Sequence, residues 1–217
     1  MFEESAFLHA LPQILLSAKM TVLVSAGGLF IGFFIAILVV VMSLSPSAGL
    51  RRAGGLYTFV FRGVPLLVQL MVMYYSLPLV LGVDVPAVAS AITAIALCEG
   101  AYLGEILRGG FLGIPRGQIE ATQVLGFSRL NTLLHIEIPQ AVKLTTPALV
   151  NEVILLVKAS SLISVVGVAE ITRTAQNIAA STFRPLEAYI AAGVVYFIVN
   201  GVLSLLGRWA ELRLERA

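Results

Sequence analysis

The chain has 217 residues, 59% of them hydrophobic and only 12% charged, with a mean hydropathy of +0.97 and a formal net charge of +2. Soluble domains carry about 25% charged residues, so this composition excludes a soluble globular protein and predicts an all-α integral membrane protein. The small net charge, with no basic run interleaved with aromatics, argues against nucleic acid. One cysteine, Cys98, and two distant histidines, His9 and His135, offer no disulfide framework and no metal-ligand cluster.

The N-terminus begins Met1-Phe2-Glu3-Glu4, and Lys19 arrives late. A secretory signal wants its positive charge first, so the first hydrophobic segment is expected to be retained. Residues 20–42 are long enough to cross a hydrocarbon core at ~1.5 Å per residue. Gly27, Gly28 and Gly32 within them suit close helix packing better than a dedicated dimerisation face. A Ser/Pro/Gly-rich connection with Arg51 and Arg52 follows. Arg62-Gly63-Val64-Pro65 then predicts a bend at the mouth of a second span, about 62–81. Further spans are expected at about 87–107, 145–166 and 186–206, with a polar loop over 109–141. The whole of 1–217 thus reads as one membrane domain with five spans.

The loop contains two short amphipathic helices. Pro115 suits a first helical turn, and Ile119, Val124 and Leu125 interleave with Arg116, Gln118, Glu120 and Gln123. Gly126 is placed to end the first helix, because a left-handed C′ position is cheap only for glycine. Ser128 can cap a second helix carrying Leu130, Leu133, Leu134 and Ile136, and Pro139 is expected to stop it. Such a hairpin between spans has a shape another protein could grip.

Glu120, Ala121, Gly126, Ile136, Ile138 and Pro139 keep the spacing of the EAA loop of permease subunits of ATP-binding-cassette importers, which this stretch resembles. It departs at Thr122, where a second Ala is usual, and at Ile138, where Leu is usual. The resemblance implies that the hairpin is a coupling helix seated in a groove of a cytoplasmic ATPase. Glu120, Ala121, Gly126, Phe127, Ser128 and Pro139 would then carry the contact. Phe61 to Gln69, Gly100 to Glu105, Ile114 to Gln118, Asn151-Glu152 with Lys158, Ser160 to Gly167 and Glu170-Ile171-Thr172 look like the polar amino-acid permeases of these importers. The likeness covers roughly residues 57–190. Lys158-Ala159-Ser160-Ser161-Leu162 replaces the common Lys-Asp-Thr-Ser-Leu, and Glu99 stands where a Ser often precedes Gly-Ala-Tyr.

Charge orients the chain. With the hairpin in the cytoplasm, Arg51, Arg52, Arg62, Arg108, Arg116, Arg129, Lys143, Arg208, Arg213 and Arg216 lie inside, and Lys19, Arg173 and Arg184 outside. That asymmetry obeys the positive-inside rule. It predicts an outer N-terminus and an inner C-terminus, and the family resemblance implies a bacterial inner-membrane location. Trp209 and Tyr57 fall near the inner interface.

Charged residues within spans are costly, about 2.5–3.5 kcal/mol at mid-bilayer by insertion scales, and normally face protein or a watery cavity. Gln69, Glu99, Asn151, Glu152 and Ser161 are the candidates to line an amino-acid path, with carboxylates for an α-ammonium or basic side chain. The alternative is that they satisfy one another between helices. Glu152 and Lys158, six apart, diverge by about 120° and do not pair on one helix. Glu105 and Arg108, three apart, can. Lys158 could instead hold subunits together. The segment from Gly167 to Pro185 could receive a binding protein or close an outer gate.

No GxxxxGK[ST] loop occurs, so the chain is expected to be no enzyme and to hold no cofactor, with ATP and Mg bound by partner ATPase subunits. Other expected partners are a second permease subunit (identical or paralogous), an extracytoplasmic solute-binding protein, a polar amino acid and membrane lipid. The reading is an alternating-access importer subunit. An ATP-independent transporter or small channel would explain the carboxylates as an ion relay but not the hairpin. A structural subunit without a path would explain them as packing. A co-purifying ATPase separates the first alternative, and solute-dependent ATP hydrolysis the second.

Overall fold

The computed structural model describes residues 3–215, and every regular element among them is helical. Arg216 of the inner charge set lies outside the described residues. In chain order the helices are α1 (Glu4–Ser43), α2 (Ala48–Gly63), α3 (Leu66–Leu81), α4 (Ala87–Leu112), α5 (Arg116–Val124), α6 (Arg129–Val166), α7 (Ile171–Thr182) and α8 (Pro185–Glu215). Four of them, α1, α4, α6 and α8, are long and apolar enough to cross a membrane; α2 and α3 meet that test only as a pair bent by 97° at their junction, the geometry of a broken span or of a re-entrant loop.

Helix α1 begins at Glu4, well before the apolar stretch that opens at Met20. Its early turns have their own packing partner. Ala10, Ile14 and Ala18 are buried against Ile171 and Ala175 of α7 and Ala191, Ala192 and Val195 of α8. Burial of that alternating small–large stripe keeps the helix intact across Pro12.

Further along, α1 runs against α4 on small residues. A Cβ on Gly28 would lie 2.3 Å from a methyl of Ile95, and one on Gly100 would lie 2.5 Å from Ile35. Backbones can approach this closely only where side chains are missing, and the gain is van der Waals contact that lipid cannot supply. Gly28 and Gly32 therefore have the packing role expected of them.

The bend between α2 and α3 has a local cause. Pro65 has no N–H to give the carbonyl of Phe61 four residues back. The buried Gln69 amide substitutes, donating to Phe61 O at 2.9 Å and to Val64 O at 2.8 Å. Tyr57 Oη donates to Leu97 O at 2.6 Å and fastens α2 to α4.

One expectation is corrected here. Pro139 does not stop the second hairpin helix, because α6 is continuous from Arg129 through the span. Residues Leu133–Glu137 form a π turn, closed by Ile138 N–H to Leu133 O. A wider turn just before a proline changes which carbonyl needs a donor, so Pro139 is accommodated in the first turn of the segment Ile138–Ala159. The α6 helix ends in a 3₁₀ stretch, Ser160–Val166, stopped by left-handed Gly167.

Candidate functional site

A cavity of about 380 Å³ lies where the α2–α3 bend, α4 and α6 converge. Arg62 to Leu66 form one wall; Cys98, Glu99 and Tyr102 come from α4; Glu152, Leu155, Leu156 and Ala159 come from α6. Helical spacing explains the α4 set, since Glu99 and Tyr102 are three apart and share a face. Glu99 is 4% exposed, and its Oε2 has no hydrogen-bond partner among the described residues. Glu152 is half-buried on the opposite wall. A buried carboxylate with an unfilled oxygen demands a donor.

The positive charge of the cavity is restrained. Arg62 lies 5.4 Å from the Tyr102 ring centroid and 3.7 Å from Glu105 Oε2. Glu105 also holds Arg108 through two contacts, at 2.8 and 3.0 Å, so the expected intrahelical pair is formed. Two carboxylates therefore face the space while its guanidinium is drawn toward a third. With Leu155 and Leu156 as apolar floor, the arrangement suits an ammonium group carried on a small solute.

The structure brings together only part of the expected path. Glu99 and Glu152 share the cavity. Gln69 does not line it and instead staples the bend. Asn151 is exposed and does not line the cavity. Ser161 donates to Lys158 O and reaches Tyr196, which belongs to another cluster. There the fully buried Glu170 caps α7 by accepting from Arg173 N–H at 2.7 Å, and it also accepts from Tyr196 Oη at 2.9 Å. Burial raises the Glu170 pKa above its ordinary value, and the hydrogen bonds from Thr172, Arg173 and Tyr196 oppose the rise. Sequence reasoning counted Arg62 only within the bend and among the inner cations, and gave Tyr102 no role. The three-residue step from Glu99 was the available signal for Tyr102; for Arg62, the bend that aims it inward had to be seen.

The hairpin is built much as its residues suggest. Gly126 has φ +77°, and Phe127 N–H bonds Thr122 O at 2.9 Å across the turn. Ser128 Oγ accepts from Asn131 N–H at 3.3 Å. Thr122 is buried, and Thr132 Oγ1 bonds its hydroxyl at 3.0 Å, tying α5 to α6. A second Ala at position 122 could not make that bond. Glu120, Ala121, Gly126, Phe127, Ser128 and Pro139 are exposed, as are Val124, Leu125 and Leu130. Among the described residues no group of three or more His, Cys, Asp or Glu could hold a metal ion.

Residues 28–216 match the family described as binding-protein-dependent transport system inner membrane component. The arginine transport system permease protein ArtQ of Bacillus subtilis is 34% identical over 211 residues, which is 97% of this chain and 96% of that protein. The glutamine transport system permease protein GlnP of Escherichia coli is 36% identical over 224 residues, 99% and 98% of the two chains. A chain from a crystal structure of an amino acid ABC transporter with histidines superposes with a TM-score of 0.91 at 31% identity, covering 98% of this chain and 99% of that one. One from the MetNI methionine ABC transporter, in inward-facing conformations, shares the fold with a TM-score of 0.73 at 19% identity.

Proposed function

The chain belongs to the family of binding-protein-dependent transport system inner membrane components, and from that premise we propose that it is the membrane-spanning subunit of an ATP-driven importer of polar amino acids in the bacterial inner membrane. A binding protein delivers the solute at the outer face. Separate ATPase subunits bind ATP and Mg, and a second permease subunit completes the path. The hairpin lies in the cytoplasm, the N-terminus outside and the C-terminus inside, in keeping with the charge asymmetry.

One observation carries the reading. The helix that begins in the exposed hairpin at Arg129 continues without a break to Glu152, one of the two carboxylates of the cavity. Motion imposed on the hairpin therefore reaches one wall, while Glu99 and Tyr102 stand on α4. The chain must then present two arrangements whose free energies differ with motor and solute bound. An ATP-independent transporter or a structural subunit gives that exposed hairpin no work.

The solute class follows from the wall chemistry. Glu99 and Glu152 favour an ammonium group, as the arginine named for one relative and the amide-bearing glutamine named for another both carry. Glu99→Gln and Glu152→Gln in the assembled complex should each raise the KM for uptake about ten-fold, the usual cost of losing one charge-assisted hydrogen bond. Uptake of arginine and glutamine in proteoliposomes measures it; unchanged KM and rate in both variants would remove the cavity from the path.

A further inference from the structure

Arg129 and Glu137 straddle the π turn of α6. Arg129 Nη1 meets Glu137 Oε1, and Nη2 meets Oε2 at 3.0 Å, a two-pronged contact. The Glu137 side chain is 7% exposed and that of Arg129 is 70% exposed. Side chains that pair on a regular helix stand three or four residues apart, and eight apart they point about 80° away from each other. The turn closed from Leu133 O to Ile138 N–H absorbs one extra residue. That returns the pair to within about 20° of a common face, the offset of seven residues on an ideal helix. The contact exists because the π turn does, and a buried carboxylate needs its partner there.

Pro139 pins the turn's position, since a regular helix through it would drive its ring into the carbonyl of His135. The ion pair fixes its angle. If the turn were absorbed into regular helix, everything beyond it, Glu152 included, would rotate by about 100° relative to the hairpin. On the near side, the Thr122–Thr132 hydroxyl pair already ties α5 to the first turn of α6.

We propose that Arg129 and Glu137 are positioning residues that lock the π turn between the hairpin and the membrane part of α6, so that movement of the hairpin reaches the Glu152 wall instead of being lost in the turn. This rests on the coupling role given to the hairpin above. Neither residue touches solute; both act through the angle of α6.

Cys98, the single cysteine of the chain, lines the cavity and is buried, so its alkylation reports the cavity's state without knowledge of the solute. The assembled complex in nanodiscs is treated with N-ethylmaleimide, with and without a non-hydrolysable ATP analogue, and labelling of this chain is read by mass spectrometry. The wild type should show a nucleotide-dependent rate change of about five-fold or more, the lower range of coupling between sites. Glu137→Gln and Arg129→Gln should keep the ATPase bound while most of that change is lost. The exchange Arg129→Glu with Glu137→Arg should restore it. Glu120→Lys tests the hairpin itself. If Glu120→Lys abolishes the response while both single variants keep it, the lock is wrong and the hairpin stands. If Glu120→Lys leaves the response intact, or the wild type has none, the coupling reading falls and the lock with it. Loss of the ATPase from the single variants, or failure of the exchange to restore the response, would also overturn the proposal.

Discussion

At the scale of single residues, three polar side chains set in apolar runs do two different jobs. Gln69, Glu99 and Glu152 are all polar groups in apolar runs, yet the first closes the carbonyl left open by Pro65 and the other two face a cavity. The local sequence marks the bend through Gly63 and Pro65, but not its 97° angle, which decides that Gln69 turns back onto the bend while Glu99 and Glu152 face the cavity. Glu170 is the plainest test of a buried carboxyl outside the spans. Its pKa is raised on folding from near 4.5, chiefly by burial. A carboxyl so shifted contributes stability that is fully present below its unfolded value and is lost as pH rises through the higher folded value. Glu170→Gln does not titrate, so its stability relative to wild type should improve as pH climbs from below 4.5 toward neutrality. Thermal unfolding in detergent at matched pH values measures the trend; a gap that stays constant or widens against the variant would refute the assignment. The variant's offset at low pH should be about 1 kcal/mol, the ordinary worth of an N-cap.

At the scale of elements, the hairpin turn was legible because its chemistry is local. Gly126 takes the left-handed conformation that only glycine adopts cheaply, and Ser128 caps from its own sequence neighbourhood. Helix ends governed by distant contacts were less legible. The start of α1 at Glu4 depends on α7 and α8, which lie far along the chain. The run of α6 through Pro139 depends on a π turn that has no apolar period to betray it. Gly126→Ala should strain the turn by roughly 1–2 kcal/mol, the cost of a left-handed conformation for an L-residue. Nothing lies within 4 Å of the added methyl, so the penalty is conformational and not steric. The expected result is a several-fold fall in solute-stimulated ATP hydrolysis by the complex, with thermal stability of the membrane part unchanged. Full hydrolysis would show that the motor does not read the geometry of this turn.

At the scale of the whole molecule, the fold class was carried by composition, and hydropathy marked the four long apolar helices α1, α4, α6 and α8. The bend between α2 and α3 was marked by Gly63 and Pro65, but its 97° angle was not, because the angle depends on packing. Taken as a crossing in its own right, α3 has a consequence for the bilayer itself. Helix α3, Leu66–Leu81, is only ~24 Å long at ~1.5 Å per residue, against a hydrocarbon thickness of ~30 Å. Beyond it the chain turns through left-handed Gly82 toward Asp84. At its other end α2 leaves at nearly a right angle and carries exposed Arg51 and Arg52. Neither neighbour can lengthen the crossing, so the lipid must thin to meet it, at a modest cost for each ångström of mismatch. Transport should accordingly depend on acyl-chain length: proteoliposomes of short-chain phosphatidylcholine should sustain several-fold faster uptake than those of very long-chain lipid. Equal rates across the series would mean that the short crossing is shielded from lipid by its neighbours.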